Sequence, residues 1–162
     1  MTKEYKYNTY EEAMKAVKKD LFNFMHVRPD LQSPEMVKVA ARYGWTFKYV
    51  RPDLQTPEMA LESVKRLLGS LEFIPAHLIT PELVEVAVKK GVFNFQFVPA
   101  HLQTPKMVKS VIKRDPFCLQ FVRPDLQTQE VIEAALKQNS AAAHLIKTKG
   151  LMMGALEEAL SE

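Results

Sequence analysis

Between Val27 and Leu145 one phrase of about two dozen residues is written five times in succession. The copies read VRPDLQSPEMVKVAARYGWTFKY, VRPDLQTPEMALESVKRLLGSLEF, IPAHLITPELVEVAVKKGVFNFQF, VPAHLQTPKMVKSVIKRDPFCLQF and VRPDLQTQEVIEAALKQNSAAAHL. A fixed period of this length marks a repeat array, in which no unit buries its apolar face alone and stacked neighbours supply the core. The chain is therefore expected to be all-α, an α-solenoid of short helix-turn-helix repeats.

Each copy carries the same punctuation. Ser33-Pro34, Thr56-Pro57, Thr80-Pro81 and Thr104-Pro105 are helix starts: the hydroxyl accepts from an orphan backbone N–H, and Pro at the first helical position loses no hydrogen bond. Glu35, Glu58, Glu82 and Glu130 fall in the first turn, where the helix dipole favours a carboxylate. Pairs such as Met36-Val37 and Ala40-Ala41, or Leu83-Val84 and Ala87-Val88, give a broad apolar stripe suited to packing on both sides. These first helices are expected to end near Gly44, Gly91, Asp115 and Asn139.

The second segment of each unit is ambiguous by period. Phe93-Asn94-Phe95-Gln96-Phe97-Val98 alternates as a strand would, whereas the fifth copy, Ala141-Ala142-Ala143-His144-Leu145-Ile146, favours helix. A short helix is expected, with α-helix and 3-10 or extended turn left open. A Pro then turns the chain (Pro29, Pro52, Pro75, Pro99, Pro124), and Leu31, Leu54, Leu78, Leu102 and Leu126 recur in the connection as plugs between units.

The ends read as caps. Residues 1–26 form an opening unit in which Thr9-Tyr10-Glu11-Glu12 supplies a capping box, and residues 146–162 form a closing helix around Leu151–Leu160. With five full copies over 27–145 this makes about seven units in one domain, residues 1–162, without a linker. A hydrophobic share of 47% is enough for a continuous core, and only five glycines with 25% charged residues argue against disorder. No apolar run is long enough to span a membrane, the N-terminal residues lack a secretory apolar stretch, and Cys118 has no cysteine to pair with. The expectation is a cytoplasmic protein without membrane contact, monomeric or weakly dimeric through Met152, Met153 and Leu156.

Written as F-x-F-V-P-A-H-L-x-T-P-x-M-V-x-x-A-V-K-x-x-G, the unit resembles short two-helix repeats of a domain of unknown function in bacterial, protist and giant-virus proteins. Their phrase is L-E-Y-A-S-x-x-L-x-x-D-x-E-V-V-x-x-A-V-x-x-x-G. Phe95-Gln96-Phe97-Val98 falls on L-E-Y-A, Leu102 on the lone Leu and Met107-Val108 on the paired Val. The resemblance covers nearly the whole chain, implies two helices per unit and implies no enzymatic activity. The Pro-Asp and Pro-Ala-His turns depart from that phrase.

Candidate sites are weighed against plainer roles. His77 and His101 hold equivalent places in neighbouring units, too far apart for ligands of one ion, so no metal is expected. A basic rim, including Lys65, Arg66, Lys89, Lys90, Lys113 and Arg114, closes the first helices; such cations complement the helix dipole, and also suit an acidic protein or a nucleic-acid backbone. The aromatic ladder, Phe22, Phe24, Phe47, Tyr49, Phe73, Phe93, Phe95, Phe97, Phe117 and Phe121, reads as core. Trp45 has no aromatic counterpart in this reading; it is either an exposed anchor or a ring filling the gap of a shortened unit. Cys118 sits at a small, exposed position, with no base to make it a nucleophile.

The expected function is a non-enzymatic, cofactor-free scaffold that binds a protein partner. Specificity falls on the positions where copies disagree: Asn23, Thr46, Lys48, Glu72, Asn94, Gln96, Cys118 and Gln120, with the turns at Arg28, Arg51, His77, His101 and Arg123 as a second surface. The alternative is nucleic-acid binding along the Lys/Arg rim; the net charge of +3 leaves that open without supporting it.

Overall fold

The computed structural model describes residues 5–66 and 70–147, and among them all regular structure is helical, with no β-strand. The expected closing helix at 151–160, with Met152, Met153 and Leu156, lies outside the described residues. The chain divides into two compact units, Met1–Lys90 and Gly91–Glu162.

The first helices lie where the Ser/Thr starts put them. They are α1 (Tyr10–Lys19), α2 (Pro34–Ala40), α3 (Pro57–Arg66), α4 (Pro81–Lys90), α5 (Pro105–Arg114) and α6 (Gln129–Gln138). The hydroxyls of Ser33, Thr56, Thr80, Thr104 and Thr128 each accept from the backbone N–H three residues on, at 3.2–3.4 Å. Thr9 caps α1 in the same way, accepting from the Glu12 N–H. The expected capping box closes one residue early, because the Glu12 carboxylate accepts from the N–H of Asn8. Helix ends leave in extended rather than left-handed backbone, at Asp20, Asp115 and Asn139. Glycine is therefore not needed there.

The second segments are 3-10 helices: Leu21–His26, Gly44–Tyr49, Ser70–Phe73, Val92–Phe97, Pro116–Phe121 and Ser140–Leu145. Six-residue runs of this kind are uncommon, and side chains cap three of them. Asp20, Asp115 and Asn139 accept from the N–H two residues on, at 2.9–3.0 Å. The same cap overrides the α propensity of the Ala-rich fifth copy. A 3-10 turn takes three residues, so positions i and i+3 share a direction. Hence Phe47 and Val50, Phe95 and Val98, and Leu119 and Val122 point inward, while Phe93 and Gln96, or Phe117 and Gln120, point out. The apparent strand alternation was this period of three.

In the first unit α1 packs on α2 and α3 on α4; in the second, α5 packs on α6. The core of the first unit gathers Met14, Val17, Phe24, Met36, Val37 and Val50, with Leu31, Leu54 and Met59 packed against it. In the second unit Ile132 and Leu136 take Ala143 and Ile146.

A further device joins successive turns. Gln32 is buried; its Nε2 donates to the Tyr49 carbonyl at 2.9 Å, and its Oε1 accepts from the Arg51 N–H at 2.8 Å. Gln103 does the same with Phe121 (2.8 Å) and Arg123 (2.9 Å). Gln127 accepts from Lys147 N–H at 2.8 Å and donates to the Leu119 carbonyl at 2.8 Å. One side-chain amide thus replaces a missing rung between two backbones. Gln55 departs for a covalent reason: the residue one unit on is Pro75, which has no N–H, and Gln55 instead turns to the Val50 carbonyl at 2.9 Å. Ile79 stands at the same place, and the residue one unit on from it is Pro99.

Candidate functional site

The outward stripe of the 3-10 segments carries several of the positions where copies disagree. Lys48, Glu72, Gln96 and Gln120 are exposed on it. Lys48 Nζ lies 5.0 Å from the Tyr49 ring centroid and 5.9 Å from that of Phe73. The amides of Gln96 and Gln120 fold back on the carbonyls of Phe93 and Phe117, each at 3.1 Å.

Three expectations for these segments are corrected. Phe22, Phe93 and Phe117 are not core: they are 64%, 72% and 38% exposed, because they fall on the one position in three that faces outward. Trp45 is not without aromatic counterparts, since Phe22, Phe93 and Phe117 occupy its position when the segments are aligned on their inward residues. It is half-buried and stacks on Phe22 at 4.8 Å, with Tyr49 edge-on at 6.2 Å. Thr46, Asn94 and Cys118 are buried rather than specificity-bearing. Thr46 Oγ1 donates to Ala40 O at 2.9 Å or Tyr43 O at 2.7 Å, and Asn94 Nδ2 donates to Gly91 O at 3.3 Å. The half-buried Asn23 likewise ties α1 to its 3-10 segment through Ala16 O. Cys118 is only 4% exposed; desolvation, then the charge of Asp115, pushes its thiol up to about 12. A thiol held protonated is a poor nucleophile.

The turn surface is braced from within. Arg28 grips Asp30 with two hydrogen bonds, 3.0 and 2.6 Å, and Arg51 grips Asp53 at 2.6 and 2.8 Å. These bonds hold both carboxyls below the usual carboxylate range. Arg51 and Arg123 also donate to Pro29 O and Ala100 O in the preceding turn, both at 3.3 Å. In the third and fourth copies Pro75 and Pro99 replace the Arg while His77 and His101 replace the Asp, so both partners change together; both His are exposed.

The rim cations Lys65, Arg66, Lys89, Lys90, Lys113 and Arg114 are all exposed at helix ends, as expected from their positions. Two are already paired within their own helix: Lys65 meets Glu62 at 3.1 Å and Lys89 meets Glu85 at 3.0 Å, while Arg66 reaches the same Glu62 only at 3.9 Å.

One concavity stands out in the first unit. A groove of about 560 Å³ opens between α2 and α3, within the range of roughly 300–1,000 Å³ typical of ligand pockets. Its walls are helix faces at i, i+4 spacing: Pro34 and Lys38 run on to Ala41 and Arg42, opposite Glu58, Met59, Glu62 and Arg66. Asp53, Leu54 and Thr56 close one end. The cause is local. The unit from Ser33 to Val50 is one residue shorter than the others, and α2 has seven residues where the other first helices have ten. The Thr46 hydroxyl claims the Ala40 carbonyl, and the chain leaves the helix there. The shortened copy is the sequence signal for this groove, but an alignment of the repeats attaches it to Trp45, places Leu54 only as a plug between units, and does not single out Lys38 or Met59.

Among the described residues no helix is long and apolar enough to cross a membrane, and no group of three or more His, Cys, Asp and Glu is placed to hold a metal ion. Comparison of the chain with protein-family models, curated proteins and solved structures yields no match.

Proposed function

We propose that this chain is a non-enzymatic protein-binding scaffold, an α-solenoid of about seven short two-helix units that holds a partner segment in the groove between α2 and α3. The groove itself carries the reading: it is concave, floored by Ala41, Leu54 and Met59, and rimmed by charges. An apolar floor inside a polar rim is the anatomy of a protein–protein contact. The outward stripe of Trp45, Lys48 and Phe22 is a second face of the same unit that a longer partner would cover. The rim offers weaker support for nucleic acid, because Lys65 and Lys89 are paired internally.

A random-peptide phage library selected on the intact protein tests the groove. Lys38→Trp fills it from an exposed position, and Met59→Lys makes its floor polar. Selected peptides should lose binding to both variants, and circular dichroism should stay unchanged for Lys38→Trp, whose site is exposed. Peptides that bind Lys38→Trp as well as the parent protein place the site elsewhere.

A further inference from the structure

The charges around the groove are not equivalent, and their pairing distinguishes them. Each of its three acids already has a partner of its own. Asp53 is held by Arg51, Glu62 accepts from Lys65 at 3.1 Å, and Glu58 is held by its own backbone N–H and by Thr56. All three carboxyls lie below their usual range for these reasons; Asp53 and Glu62 are paired with cations, and Glu58 is held by hydrogen bonds alone, so one unpaired anion faces three cations. The cations differ. Lys38 and Arg42 have no acidic partner among the described residues, and Arg66 reaches Glu62 only at 3.9 Å, a carboxylate that Lys65 already engages.

From this imbalance we infer that the occupant of the groove is an acidic, apolar peptide segment, its carboxylates on Lys38, Arg42 and Arg66 and its apolar side chains on Leu54 and Met59. The inference rests on the groove reading above and adds the chemistry of the partner. An ammonium and a guanidinium without counter-charges at the rim of an apolar groove attract a carboxylate-bearing segment and repel a basic one. The volume suits the side chains of a short segment rather than the face of a domain. Because the cations are exposed, the attraction is screened by salt and acts on selectivity as much as on affinity.

Two displayed peptide pools, one biased to Glu, Asp, Leu and Met and the other to Lys, Arg, Leu and Met, are selected on the intact protein. The acidic pool should enrich. Its leading peptide, measured by fluorescence anisotropy, should bind about tenfold more weakly to Lys38→Glu/Arg42→Glu, whose exposed substitutions leave the fold intact, and more weakly as salt rises. Enrichment of the basic pool with loss on Lys38→Trp overturns the acidic partner but leaves the groove standing. So does an acidic peptide whose affinity ignores the double reversal. Enrichment of neither pool, or enrichment indifferent to Lys38→Trp, overturns both readings. A single-stranded oligonucleotide that binds more tightly than the leading peptide and loses affinity on the double reversal overturns the peptide in favour of nucleic acid.

Discussion

Replacing Gln103 with Met tests whether side-chain amides hold one unit to the next. Met keeps the length and apolar volume of the side chain but leaves the Phe121 carbonyl and the Arg123 N–H without the partners they have at 2.8 and 2.9 Å. A stranded buried group costs about 1–3 kcal/mol. Both residues are only half-buried, so the lower end applies, about 2 kcal/mol for the pair. Unfolding entropy is about 2.1 cal/mol/K per residue, or about 0.3 kcal/mol/K for this chain, which converts that loss into a Tm lower by about 6 °C. Gln55→Met is the internal control. Gln55 donates only backwards along the chain, to the carbonyls of Val50 at 2.9 Å and Phe47 at 3.4 Å, and Pro75 offers it no N–H. Its loss should cost about half as much. Thermal melts of both variants, with hydrogen exchange at the Arg123 amide, make the comparison. Equal destabilisation, together with unchanged protection of that amide, would refute the bridging argument.

Acid should act through the turn carboxylates. Asp30 and Asp53 are held below their unfolded values by Arg28 and Arg51, so their contribution is present above the unfolded carboxyl pKa of about 3.9 and is lost as pH falls through the lower folded values. Asp30→Asn/Asp53→Asn should therefore lose less stability between pH 5 and pH 3, a range of about two units around that value, than the parent does in urea melts. Trp45 is the sole tryptophan, so its fluorescence reports the stack directly. Phe22→Ala should shift that emission to longer wavelength and cost about 0.5–1.5 kcal/mol, and an unmoved spectrum would count against the stacked pair. The Cys118 thiol, buried and pushed up to about 12, should resist iodoacetamide at pH 8, roughly where a free cysteine titrates, and react at once in denaturant. Rapid labelling of the native protein would contradict its burial.

The helix starts were readable residue by residue, since a Ser or Thr cap needs only its own next turn. All the Ser/Thr-Pro sites open helices, and Thr128 does so without Pro. The second segments were half readable. Asp20, Asp115 and Asn139 gave the local cap, but a period of three in a six-residue run looks much like a period of two. Read without the structure, the outward Phe22, Phe93 and Phe117 therefore look like core and the inward Cys118 like surface. The groove was least readable: one missing residue between Ser33 and Val50 marks it, but nothing local says on which side the gap will open.

From the sequence alone come the repeat, the all-helical class, the caps and the placing of cations at helix ends. Each depends on contacts within a turn or on a period, and both are properties of the chain taken in order. Tertiary structure decided which aromatics face solvent, which glutamine meets which N–H, and which charges are left over. Those depend on residues about twenty positions apart, such as Gln32 and Arg51 or Phe22 and Trp45, being brought together by packing. The candidate site is of that second kind, because a groove between two helices exists only once both have been placed.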